Sequence, residues 1–205
     1  MIQLPDLRSM LGNIPWVLVG GIALRAYAPE RDTRAIDVLI HERARARAQA
    51  VLLAAGYRLV GDLLRFSDSL NQESALLPAP ACGSGAGGEG ATVAPAEPTG
   101  MPLGVRARTD RWLDTALAIP GTDPAGYPVL ARPYLLLLKL QAGRTQDLAG
   151  VQRLLGSTPA DARVALRTLV QRERPDLLED YDSLAMLADL EFGPPHGPHT
   201  GQHES

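Results

Sequence analysis

Two features of this chain could do chemistry on a phosphate. One is the glycine pair Gly20-Gly21 followed by Asp37; the other is Lys139, the only lysine in 205 residues. Trp16-Val17-Leu18-Val19 is apolar and β-branched enough to read as a buried strand. Ile22 to Tyr27 reads as the first turns of a helix, and Ile36 to Ile40 as a second strand carrying Asp37. Glycines at such a bend let the backbone approach phosphate oxygens closely. A helix N-terminus offers them free N–H groups. A carboxylate on the next strand can hold Mg²⁺ against the same phosphates. Arg25 and Arg31 are candidates for a forked guanidinium–phosphate contact. Lys139 sits amid leucines, and a cation in apolar surroundings needs a reason. A phosphate is one reason. The alternatives are an ion pair with Asp37 or an ammonium that reaches out to solvent. Arg144 and Asp147 have the spacing of an i,i+3 surface pair.

Two stretches carry a family likeness. Arg31-Asp32-Thr33-Arg34-Ala35-Ile36-Asp37 enters the second strand, and Arg132 to Asp147 holds the lysine. With Gly20-Gly21 before them, they resemble the nucleotidyltransferase fold, most closely the AbiEii-like branch of bacterial proteins. Members carry Arg-x-Thr-x-Asp-x-Asp at the first stretch; Arg31, Thr33 and Asp37 match, and Ala35 stands where the first metal carboxylate belongs. They carry Lys-Leu-x-Ala-x-Arg-x-x-Asp at the second, matched by Lys139, Arg144 and Asp147. The resemblance implies that Gly20, Gly21, Arg31, Thr33, Lys139 and Arg144 serve the nucleotide, that Asp147 orients Arg144, that Asp37 binds metal, and that Asp37 and Lys139 are the catalytic residues. It also implies a third carboxylate on the strand before Trp112, at a place held here by Gly104. Asp62, Asp68 and Glu73 are the acids that could replace it.

The family reaction is Mg²⁺-dependent transfer of a nucleoside monophosphate from an NTP to an acceptor hydroxyl on RNA, protein or a small molecule. Two Mg²⁺ ions can clamp the attacking and leaving oxygens of such a displacement. An Asp-x-Asp pair on a strand can bridge both, because residues two apart share a face. With Ala35 and Gly104 in two of the three places, the expectation is weak or lost Mg²⁺ binding and weakened or lost transfer. The alternatives are an active enzyme with a substitute carboxylate, a nucleotide-, RNA- or partner-binding pseudoenzyme (including one half of a toxin–antitoxin-like pair), and a plain interaction module.

Composition narrows the classes. Hydrophobic residues at 45% and charged residues at 21% suit an ordinary globular protein. A net charge of −3 gives no general pull on nucleic acid. A lone cysteine, Cys82, excludes an internal disulfide, and the first residues lack the pattern of a signal peptide. The longest apolar run, Tyr134 to Leu138, is too short to span a bilayer. A cytoplasmic protein without membrane contact is the expectation.

Positioning these residues requires a mixed α+β (α/β) sheet flanked by helices over 1–131, then a C-terminal helical bundle over 132–192. Leu4 to Leu11 reads as a short helix. Glu42 to Ala55 reads as another, with Ala44, Ala48, Val51, Leu52 and Ala55 on its apolar face, ended by Gly56. Tyr57–Val60 and Leu63–Phe66 read as strands around a Gly61-Asp62 turn. Six Gly, four Pro and six Ala among residues 78–100 mark a low-complexity insertion. Leu103–Ala107 reads as a strand, and Asp110–Ile119 as a helix capped by Thr109 or Asp110. Four helices follow: Tyr134–Ala142, Thr145–Leu155, Ala160–Gln171 and Asp176–Leu190. The last carries a stripe of Leu177, Leu178, Tyr181, Leu184, Leu187 and Leu190. Residues 193–205 read as a disordered tail whose three His are a weak metal signal.

Overall fold

The computed structural model describes residues 6–28, 35–59, 65–68 and 103–194. Arg31, Thr33, Asp62, Glu73, the 78–100 insertion and the histidines of the tail lie outside the described residues. The chain folds as α+β: a mixed sheet with helices, followed by a helical stretch. No helix among the described residues is long and apolar enough to cross a membrane.

Among the described residues the sheet has seven strands in the order β3-β4-β5-β2-β1-β7-β6. These are β1 (Trp16–Val19), β2 (Ile36–His41), β3 (Tyr57–Leu59), β4 (Arg65–Asp68), β5 (Leu103–Arg108), β6 (Gly121–Thr122) and β7 (Pro128–Val129). β1 runs antiparallel to β2 and parallel to β7; β2 runs parallel to β5. All four residues of β1 are buried, which is why its sequence is a continuous apolar run with no polar alternation. β5 alternates instead. Leu103 and Val105 face the core, while Gly104, Arg106 and Arg108 share the more open face.

The helices are α1 (Leu7–Leu11), α2 (Gly20–Arg25), α3 (Arg45–Ala54), α4 (Leu113–Ala118), α5 (Arg132–Ala142), α6 (Thr145–Gly156), α7 (Ala160–Glu173) and α8 (Leu178–Phe192). Gly56 ends the α3 region at φ 91° and Gly143 ends α5 at φ 62°, both in the left-handed range that suits glycine. One apolar core runs through both parts of the chain. It joins Val17, Leu18, Leu39 and Ile40 of the sheet to Leu135, Leu136 and Leu137 of α5 and to Val151, Leu154 and Leu155 of α6. Tyr27 links the two parts at their edge. Its ring lies 5.3 Å from the Arg132 guanidinium, and Arg132 in turn donates to the Ser157 carbonyl at 2.8 Å.

Three elements depart from the sequence reading. α4 begins at Leu113, and neither Thr109 nor Asp110 caps it; Asp110 is engaged by Arg108. The second hairpin strand runs on to Asp68, past the expected end at Phe66, while residues 63 and 64 lie outside the described residues. The leucine stripe of α8 does not stay buried: Leu187 is 44% and Leu190 77% exposed. α8 presses chiefly on α6, and its buried side runs through Tyr181 and Ala188. Small residues permit that close approach. A Cβ on Gly156 would stand 2.3 Å from the Phe192 ring.

Tyr181 gives this helix packing a pH signature. Its hydroxyl donates to the Arg163 carbonyl at 2.8 Å. Burial pushes its phenol up from the ordinary 10.0 to about 12, against a smaller opposing pull from Arg163. The folded chain holds that proton more tightly than the unfolded chain. Its contribution to stability is therefore whole below pH 10.0 and is lost as pH rises towards about 12. Denaturant titrations across that range should show the loss, and Tyr181→Phe should abolish this part of the pH dependence.

Candidate functional site

The site lies where β1 ends and where β2 and β5 begin. Val19, Asp37 and Gly104 are consecutive register partners across these three strands. Neighbours in register point to the same side of a sheet, so Asp37 projects over the place where a side chain at 104 would be, and Gly20, which follows Val19 at the end of β1, adjoins it as well. A Cβ on Gly20 would come 2.9 Å from Asp37 Oδ2, and a Cβ on Gly104 would come 2.6 Å from Oδ1. Both glycines thus leave room for one carboxylate. Gly20 also has φ 70°, a backbone conformation that a larger residue resists. Gly21 follows in α2, which is only six residues long and offers a correspondingly small dipole. Arg25 is exposed in the last turn of α2 and does not line the cleft described below.

Beside Asp37 opens a cleft of about 260 Å³. Val19 and Gly20 form one wall, and Leu135, Leu138 and Ala142 of α5 form another. Arg106, Arg108, Lys139, Arg144 and Asp147 supply its charge. Asp37 and Lys139 therefore belong to one side of the molecule: Gly20 and Arg106 adjoin the aspartate and line the cleft with the lysine.

The four cations are held differently. Lys139 is buried and does not reach out to solvent. Its partner is Asp147, with Nζ 3.3 Å from Oδ1. It does not sit as the ion-pair partner of Asp37. Arg144 Nε donates to the other oxygen of Asp147 at 2.6 Å, so one buried carboxylate orients both cations. Asp147 is 5% exposed, which makes this more than a surface i,i+3 pair. The left-handed Gly143 turns the chain so that α6 doubles back and sets Asp147 against Lys139. Gly150, one turn further along α6, leaves space for the lysine stem: a Cβ there would stand 3.0 Å from Nζ and 3.1 Å from Cδ.

Arg108 is fixed by Asp110 and Gln141. It donates to both oxygens of Asp110 and, from Nη2, to Gln141 Oε1 at 2.9 Å. Burial alone would raise the Asp110 carboxyl. The hydrogen bond and charge of Arg108, helped by Gln141, outweigh burial and hold it below the usual carboxylate value. Arg106 is the least constrained of the four. Its Nε lies 3.5 Å from Asp37 Oδ1, with 42% of its side chain exposed.

These residues do not fit a Mg²⁺ site. Octahedral Mg²⁺ takes oxygen ligands. Among the described residues Asp37 is the one carboxylate at the junction of the three strands; Ala35 and Gly104 bring no side-chain oxygen, and a guanidinium stands within ion-pair distance of Asp37. Among the described residues, no three His, Cys, Asp or Glu side chains gather as metal ligands. Asp68 is the last residue of β4, in register with Tyr57 towards the sheet edge.

Arg106 and Arg108 escaped the sequence reading. Their signal was the two-residue spacing Gly104, Arg106, Arg108 on a strand, which places all three on the face of Asp37. What the cleft can do follows from its charge. Four cations line it against three carboxylates, Asp147 being shared by Lys139 and Arg144, Asp110 held by Arg108 and Asp37 near Arg106, which leaves one positive charge in surplus. The surplus favours an anion, and arginines favour a planar, multi-oxygen one.

No protein-family model matches this chain, and no curated protein matches it.

Proposed function

We propose that this chain is a nucleotidyltransferase-like binding protein that holds the phosphate chain of a nucleotide in the Lys139 cleft without Mg²⁺, with nucleotidyl transfer weakened or lost. The observation that carries this reading is the convergence of Arg106, Arg108, Lys139 and Arg144 on one cleft beside Gly20. Support for the loss of transfer comes from the missing oxygens at Ala35 and Gly104. Transfer stabilises charge on attacking and leaving oxygens, and fixed cations can take over only part of what two metals supply. The apolar wall of Leu135, Leu138 and Ala142 suits a nucleoside carried by the phosphates.

Calorimetric titration of ATP in excess EDTA tests this. The expected dissociation constant is on the order of 10–100 μM, falling in affinity as salt rises. Added Mg²⁺ should weaken binding, because it neutralises phosphate charge that the arginines would otherwise meet. No label should pass from α-labelled NTP to RNA or protein. Binding that requires Mg²⁺, together with label transfer, would return the chain to the active enzymes. Absence of binding in either buffer would make it an interaction module.

A further inference from the structure

We infer that Arg106 stands where the resemblance expects a metal, and that Asp37 is its counter-ion, exchanged for a phosphate oxygen when the ligand arrives. This rests on the phosphate-binding reading above and gives Asp37 a role opposite to that of a metal ligand.

The geometry points to it in three steps. First, Asp37 fills the space over Gly104, where a Cβ would stand 2.6 Å from Oδ1. A second acid in that place would drive two carboxylates together, so the pair expected of a metal site is not built here. Second, the next residue on that face of β5 is a cation, and Arg106 Nε stands 3.5 Å from the same Oδ1. A charge-assisted hydrogen bond is shorter, roughly 2.7–2.9 Å. With 42% of the arginine and 24% of the aspartate side chain exposed, the pair is loose. Third, Arg106 also lines the cleft, and it is the cation with the weakest hold. Arg108 is locked to Asp110 and Gln141, and Lys139 and Arg144 share Asp147. A phosphate entering the cleft can take Arg106 from Asp37 without undoing any of those contacts.

Asp37 then competes with the ligand for a guanidinium. Removing its charge should strengthen binding. In a metal site the same change would weaken Mg²⁺-dependent binding, and in EDTA it would strengthen binding whether or not Arg106 is present, so the double variant decides between the two.

The experiment titrates ATP, and separately tripolyphosphate, into wild type, Asp37→Asn, Arg106→Gln and the double variant, all in EDTA, with thermal melts to check folding. Asp37→Asn should bind both probes roughly fivefold more tightly, the scale of an exposed ion pair. Arg106→Gln should weaken both by about tenfold. The double variant should resemble Arg106→Gln, since Asp37 acts through the arginine. Weaker or unchanged binding by Asp37→Asn, while wild type binds in EDTA, overturns the exchange and leaves the binding reading standing. Should Asp37→Asn fail to fold, undiminished affinity in Arg106→Gln overturns it equally. If wild type binds neither probe in EDTA, both the exchange and the reading beneath it fall.

Discussion

Asp147→Ala should lower the free energy of unfolding by about 3–5 kcal/mol, the cost of stranding a buried charge. Asp147 is 5% exposed and accepts from Lys139 at 3.3 Å and from Arg144 at 2.6 Å. Its two partners would fare differently. Arg144, with 55% of its side chain exposed, can turn to water. Lys139, at 7% exposure among leucines of α5, has far less freedom to do so. Urea denaturation of the variant gives the loss directly. Adding Lys139→Met to Asp147→Ala should recover most of it, because an apolar isostere removes the stranded charge. A loss under about 1 kcal/mol would mean that water reaches the ammonium through the cleft and that the pair stabilises little.

Lys139→Met alone should separate binding from folding. Asp147 keeps Arg144, so stability should fall by only about 1.5–3 kcal/mol, the scale of one hydrogen bond to a charged group. Metal-free ATP affinity should fall roughly 10- to 100-fold, because a desolvated ammonium contact is lost. Calorimetry in EDTA beside a urea titration gives both numbers. Unchanged affinity with reduced stability would assign Lys139 to the fold alone and leave phosphate recognition to the arginines.

The strong local patterns were legible in the sequence. Trp16–Val19 is a four-residue apolar run and is a buried strand. Pro133 near the start and Gly143 just past the end bracket α5, as expected of the two residues that begin and stop helices. The lone lysine drew attention because leucines surround it. Its partner was another matter. Asp147 meets it only because Gly143 reverses the chain, and the angle of that reversal is a tertiary fact that no spacing encodes. Arg106 was hidden for a similar reason. Leu-Gly-Val-Arg-Ala reads as a strand, but which of its faces meets Asp37 depends on the pairing of β5 beside β2 across a long intervening stretch. Asp110 looked like a helix cap because acidic residues favour that place. Arg108, two residues before it, offers a forked charged donor and competes successfully for the carboxylate. The leucine stripe of α8 misled because leucine spacing reports periodicity, whereas alanine and glycine decide which face can lie closest to a neighbouring helix.

The apolar core shared by β1 and α5 bears on how a ligand would be chosen. Val19 and Leu135 line the cleft and also belong to that core. The jaws of the cleft are therefore set by the same packing that stabilises the protein, and widening them would mean pulling leucines out of their seats. Such a cavity behaves as a fixed gauge. It would discriminate by the spacing of charges along a ligand that already fits, with little help from induced closure.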